Sequence, residues 1–252
     1  MQQCKAKCDL PGCLRSWYTT PLGRLLEQAE RRELDDLLPG LFGYHALQIG
    51  AACAAPLLGA SPIRHRVVID QDPAAPSCGL AASAAALPIA SDSVDAVVLH
   101  HVLEFAADPH QALREVERIL IPEGKVVIVS FNPFSTWGLR GWWRRRRGDA
   151  PWCGRFFSAP RVRDWLALLG FDLLESRHRL FRPPLQSPRL MRRLAFLEHW
   201  GYRWWPPLGG IHVLVARKRV VALTPIRPRW ATARRLVGTG LAEPTSRSGS
   251  RG

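Results

Sequence analysis

Two adjacent histidines, His100 and His101, close the apolar run Val94-Asp95-Ala96-Val97-Val98-Leu99. A run of this kind marks a strand buried on both faces of a parallel sheet. Parallel sheets bind ligands beyond the carboxyl ends of their strands, so the pair falls where chemistry is expected. An imidazole in that position can take or give a proton near neutral pH. Strand alternation predicts that one of the two points inward and the other outward, with His101 the preferred site residue and His100 the second. A further acid, Asp70, ends the run Arg66-Val67-Val68-Ile69, and Asp72 is the alternative if the register slips. A different chemistry is offered by Arg144, Arg145, Arg146 and Arg147, which follow Trp142 and Trp143. Arginines interleaved with aromatics favour an anionic partner, either nucleic acid or a membrane surface.

These side chains need a scaffold, and the hydrophobic pattern supplies one. Pro109 to Leu120 carries Ala112, Leu113, Val116, Ile119 and Leu120 at helical spacing, with Asp108-Pro109 as its start signal. Pro122-Glu123-Gly124 stops the helix, and Lys125 to Val129 is a second β-branched run. Strand, crossover helix and strand make one βαβ unit of a parallel sheet. Upstream, Thr19-Thr20-Pro21 opens a helix that Pro39-Gly40 ends, followed by a strand from His45 to Ile49 and a turn at Gly50. The pattern predicts a short helix over Ala54 to Leu58 and a third strand within Cys78 to Ala86. Downstream it predicts a helix from Arg161 to Leu169 capped by Ser158, a strand from Phe171 to Arg182, a helix from Leu190 to Trp200 and a last strand from Gly210 to Arg217.

Composition narrows the class. The chain has 252 residues and a hydrophobic content of 47%, enough to bury a core. No run is long and apolar enough to cross a membrane, and no secretory signal is visible, so a cytoplasmic protein is expected. Six cysteines are present, three of them at positions 4, 8 and 13. No Cys-x-x-Cys pair or nearby histidine completes a metal site there, so reduced thiols and no metal are expected. Nucleophilic triads and phosphate-cradling glycine loops of the Walker type are likewise not found. The net charge of +14 is concentrated after residue 136, where 24 Lys/Arg face 6 Asp/Glu and nine of the ten tryptophans lie. Residues 1–19 read as a loose leader, 20–222 as the folded domain with a basic Trp/Arg-rich cap at about 132–160, and 223–252 as a disordered basic tail.

The ordered set Leu87-Pro88-Ile89, Ser93-Val94-Asp95, Val102-Leu103-Glu104-Phe105, Asp108-Pro109 and Arg118-Ile119-Leu120-Ile121-Pro122-Glu123-Gly124 resembles the class I S-adenosylmethionine-dependent methyltransferases, in their type 11 subgroup. With the flanking sheet pattern the resemblance runs from about Tyr44 to Lys218. It implies a Rossmann-like, seven-stranded, mostly parallel α/β sheet with helices on both faces and an antiparallel final pair. It further implies S-adenosyl-L-methionine as cofactor and methyl transfer to an unidentified acceptor. The family's glycine motif aligns with Gln48-Ile49-Gly50-Ala51-Ala52-Cys53-Ala54, where only the first glycine is kept and Gln48 replaces the acid. Carried over by position, Gly50, Gln48 and Ala52 would lie along the cofactor, Asp70 would bind the ribose hydroxyls and Ser83 would face the adenine. His100 and His101 occupy the acceptor side, and Glu104 stands in a Leu-Glu-His-like element whose histidine is Phe105. The lost glycines leave a second reading open: a cofactor-free, non-catalytic module of the same fold that uses its Trp/Arg surface on nucleic acid, membrane or protein.

Overall fold

The computed structural model describes residues 10–50, 55–75, 77–144, 150–185, 193–194 and 196–220. The chain divides into a unit Met1–Val220 and a unit Val221–Gly252, and the second lies outside the described residues. Helices α1 (Leu10–Tyr18) and α2 (Pro21–Leu37) come first. The alternation that follows is β1 (His45–Ile49), β2 (His65–Asp70), β3 (Leu80–Ala81), β4 (Val94–His100), α3 (Pro109–Ile119) and β5 (Leu120–Phe131). Then come α4 (Thr136–Arg144), α5 (Ala159–Leu168), β6 (Phe171–Arg179), α6 (Phe196–Trp204) and β7 (Ile211–Lys218).

The strands form one seven-stranded sheet in the order β3-β2-β1-β4-β5-β7-β6. The first five pair in parallel, whereas β7 runs antiparallel to both β5 and β6. The order reverses direction between β1 and β4, and that switch point opens a crevice at the carboxyl ends. Alternation sorts each strand between two cores. Ala46, Val98, Val129 and Val213 face α1 and α2. Leu47, Ile49, Leu99, Ile128 and Leu214 face α3 and α5.

Local chemistry fixes the helix starts. Thr20 Oγ1 accepts from Gly23 N ahead of α2, and Asp108 Oδ1 accepts from His110 N and Gln111 N ahead of α3. Each cap is followed by a proline at the first helical position, where no amide hydrogen is needed.

Several sequence expectations are corrected. Residues 10–18 are not a loose leader: α1 buries Leu14 and Tyr18 in the core. Cys13 is disulfide-bonded rather than a reduced thiol, while Cys78 is free. The short helix after β1 is reduced, among the described residues, to a 3-10 turn at Leu58–Ala60. The third strand shrinks to two residues, because an alanine-rich segment offers little β-branched surface to pack. The start of the basic cap, for which no element was predicted, is the helix α4. No helix of the described residues is long and apolar enough to cross a membrane.

Candidate active site

The first part of the site is the carboxyl edge of β1 and β2. Ile49 and Ile69 are register partners, and Gly50 N donates to Ile69 O at 2.9 Å. Gly50 and Asp70 therefore follow the last rungs of adjacent strands. Gly50 has φ +94, and a Cβ there would stand 2.4 Å from His100 O. Only glycine fits a left-handed turn that also presses on β4. Asp70 is buried, and its Oδ1 accepts from Asp72 N at 2.9 Å. Asp72, the alternative acid, is instead paired with Arg15 of α1. Arg15, the Asp72 amide's Asp70 contact and Asp72 itself place α1 beside the β2 end of the crevice.

Gln48 is buried on β1 and bridges the loop that follows. Its Nε2 donates to Gly50 O at 2.9 Å, and its Oε1 accepts from Leu57 N at 2.7 Å. The amide thus shapes the turn from both ends, a task a carboxylate could fill only in part because it cannot donate. Ser83 is exposed, and its Oγ accepts from Ala85 N in the turn after β3. Ala52 lies outside the described residues.

The second part lies at the end of β4. His100 and His101 do not alternate. His101 has φ +52, a left-handed conformation that histidine tolerates better than most residues. This turn brings both side chains to the α2 face, which corrects the expectation of one inward and one outward ring. Both are buried against Glu30 of α2. His101 Nε2 lies 2.6 Å from Glu30 Oε1, and His100 Nε2 lies 3.0 Å from Glu30 Oε2. Tyr18 donates its hydroxyl to both Glu30 oxygens, at 3.2 and 3.1 Å. On its other side His101 Nδ1 lies 2.9 Å from Glu104 Oε1, which also accepts from Phe131 N at 2.7 Å. Glu104 Oε2 is buried without a hydrogen-bond partner among the described residues.

His101 is therefore held between two carboxylates. Burial alone would lower its pKa, but Glu30 and then Glu104 outweigh it and raise it to about 10. Burial pushes Glu30 up, yet His101 and then His100 bring it down to about 2. At neutral pH His101 is an imidazolium that donates from both nitrogens. The ligand atoms of Glu30, His100 and His101 lie within 4.8 Å of one another, close enough for a metal ion.

The third part is a cleft of about 630 Å³ beside β5 and α4. Its walls include Phe134, Leu139, Trp142, Trp152, Phe156 and Leu208, and among the described residues no charged side chain lines it. Phe131 connects this cleft to the buried network: its ring is 4.2 Å from that of His101 and 4.9 Å from that of Phe156. Gly154 forms part of the wall, and a Cβ there would lie 3.3 Å from Glu104 Cβ. Glu104 thus sits directly behind the cleft wall. Asn132 is a turn residue: its Nδ2 donates to Pro207 O and Gly209 O, fixing one rim of the cleft to the other.

Tyr18 and Glu30 were not legible as site residues. Glu30 does carry a signal, because it falls on the stripe Leu22, Leu26, Leu34 and Leu37 of α2, all buried. An acid at an apolar-stripe position demands a buried partner.

Comparison with known proteins agrees with this geometry. Residues 63–128 match the model of a methyltransferase domain, Methyltransf_11. YafS, an uncharacterised protein of Escherichia coli (strain K12), is 34% identical over 215 residues, covering 85% of this chain and 83% of that protein. The malonyl-[acyl-carrier protein] O-methyltransferase of Halorhodospira halophila is 37% identical over 86 residues, 34% of this chain and 29% of that one. Among solved structures, a methyltransferase of Thermotoga maritima superposes with a TM-score of 0.59 at 18% identity, covering 79% of this chain and 91% of that chain.

Proposed function

The chain belongs to the class I S-adenosylmethionine-dependent methyltransferases of type 11, in one family with YafS, and from this premise we propose that it transfers a methyl group to an uncharged, largely apolar acceptor. The observation that carries the reading is the register at the sheet edge, which sets Gly50 and the buried acid Asp70 side by side at the switch point. The residues present fit the family's cofactor in two respects. Gly50 keeps a backbone that no side chain obstructs, and Asp70 offers a carboxylate for a ribose diol. S-adenosylmethionine, when bound, supplies an electrophilic methyl group on a positively charged sulfur.

The remaining roles belong to the chain's own groups. Gln48 holds the turn after β1 in shape, and Ser83 offers one hydrogen bond near the adenine end. The aromatic cleft orients the acceptor and excludes water, which is where much of the rate of a displacement arises. Its uncharged lining selects against charged acceptors, since an ion entering it would lose its hydration without a partner. His101 is already protonated at neutral pH and so is a positioning residue, with Glu30 and His100, rather than a base. It fixes Glu104, whose second oxygen is buried and unpaired among the described residues.

The test is transfer of labelled methyl from S-adenosylmethionine to cellular extract, partitioned between organic solvent and water. Label is expected in the organic phase. Asp70→Ala should raise KM for the cofactor, and Phe156→Ala should raise KM for the acceptor alone. Label confined to the aqueous phase would refute the apolar acceptor. Gln48 favours one rival, because it closes the turn from within the chain. Absence of both transfer and cofactor binding would support that rival, a cofactor-free module that uses the Trp/Arg surface to bind its partner.

A further inference from the structure

Helix α4 is apolar on both sides. Its inner side buries Trp137, Gly138 and Gly141, as a docked helix should. Its outer side nonetheless presents Leu139 at 65%, Trp142 at 77% and Trp143 at 76% exposure. A helix that is hydrophobic all round belongs in an apolar environment on all sides. Two neighbouring segments extend the same face: the turn before α4 exposes Phe134, and the turn after α6 exposes Leu208. These segments are held together, because Asn132 donates to Pro207 O and Gly209 O, and Phe134, Leu139, Trp142 and Leu208 line one cleft. The exposed side chains thus form a contiguous patch, larger in kind than the scattered apolar residues of an ordinary surface.

The segment that carries the patch is rich in arginine. Pro133 to Gly148 contains five arginines and no acid. Arg140 lies over the Trp152 ring at 5.8 Å, and Arg144 ends α4. Burial, and then the charge of Arg144, lower the Arg140 pKa. From these observations we propose that the α4 face docks on an anionic lipid bilayer, with Leu139, Phe134 and Leu208 entering the acyl boundary. Trp142 and Trp143 would sit at headgroup depth, and Arg144 at the end of α4 against lipid phosphates.

The mixture of side chains favours lipid over nucleic acid. Tryptophan and arginine can serve a nucleic acid by stacking and phosphate contact. Exposed Leu139 and Leu208 can do neither, and an aliphatic rim is of use only where there is hydrocarbon to enter. Tryptophan at the boundary with leucine below and arginine above is the order of groups across a membrane interface. The cleft opens on this same face, so an apolar acceptor could reach it without crossing water. The docking itself needs no cofactor and stands apart from the catalytic reading.

The experiment is co-sedimentation of the full chain, without cofactor, with phosphatidylcholine vesicles and with phosphatidylcholine vesicles containing phosphatidylserine. Binding to the anionic vesicles is expected, weaker to neutral ones, and weakened by salt. The double variant Trp142→Ser/Trp143→Ser should lose about tenfold or more of the partitioning, with an unchanged circular dichroism melting curve as the control for folding. Leu139→Ser, if stable, should act in the same direction. Failure to sediment with anionic vesicles would overturn the proposal, as would undiminished binding by the double variant. Displacement from vesicles by a DNA duplex bound through the same tryptophans would also overturn it, and would make the partner a nucleic acid.

Discussion

The interior beneath α2 and the outer face of α4 break the same rule in opposite directions. Beneath α2, ionised groups sit where water does not reach: Glu30 and His101 are fully buried. On α4, tryptophan and leucine sit where water does reach. In the first region each charge meets an opposite charge, Tyr18 and Phe131 N supply further hydrogen bonds, and Glu104 Oε2 is the oxygen left over. The second is incomplete, because nothing in the described residues covers it. A largely paired polar cluster points to a structural or positioning task, and an uncovered apolar face points outward to a partner.

Four outcomes would sharpen or break that contrast. The largest effect is expected from Glu30→Ala. It leaves the His101 cation with one of its two buried carboxylates, and loss of a partner from a buried pair costs about 3–5 kcal/mol. Urea unfolding would measure it, and a loss below about 1 kcal/mol would mean that the network is not the compensated cluster described. Next comes Gly50→Ala, which imposes a left-handed conformation on alanine and drives its Cβ against His100 O. A loss of roughly 1–3 kcal/mol is expected, read in the same way.

The third outcome is a pH dependence. The His101 pKa is raised from 6.5 to about 10, so its contribution is fully present below 6.5 and is lost as pH rises through 10. The Glu30 pKa is lowered from 4.5 to about 2, so its contribution is present above 4.5 and is lost as pH falls toward 2. His212 adds to the acid side. Burial, His178 and His101 lower its pKa from 6.5 to about 3, so the folded state resists its protonation and loses stability as pH falls below 6.5. Urea midpoints should therefore be highest near neutrality, and His101→Gln should flatten the alkaline limb. An alkaline limb unchanged in that variant would contradict the assigned imidazolium. The smallest effect is expected on α4, where Trp142→Ser should change stability by less than about 0.5 kcal/mol. A larger loss in urea unfolding would show that Trp142 packs within the fold rather than awaiting a partner.

The two regions also differ in how far they could be read from the sequence. The βαβ unit from Val94 to Phe131 was legible because each local signal agrees: apolar run, Asp-Pro start, helical spacing, Pro-x-Gly break and a second run. The seven-stranded sheet and the antiparallel final pair followed from the resemblance and are present. The Trp/Arg segment was visible too as a basic cap, without its helix α4. The buried network was hidden, because Glu30 stands 70 residues from His100 and the pairing depends on how α2 packs on the sheet. His101 was misread in direction because alternation assumes extended backbone, and φ +52 ends the strand at that residue. Helix α1 was missed because Pro11 and Gly12 open it, residues that the pattern assigns to turns.

The central claim is that the edge formed by Gly50 and Asp70 still holds the family's cofactor despite the missing glycines. Calorimetric titration of the full chain with S-adenosylmethionine and S-adenosylhomocysteine, beside Asp70→Ala and Asp72→Ala, tests it most directly. The account predicts saturable binding of both ligands, weakened about tenfold or more by loss of the Asp70 carboxylate and much less by loss of Asp72, which Arg15 occupies. No heat and no rise in melting temperature at saturating ligand, or equal affinity in Asp70→Ala, would contradict it.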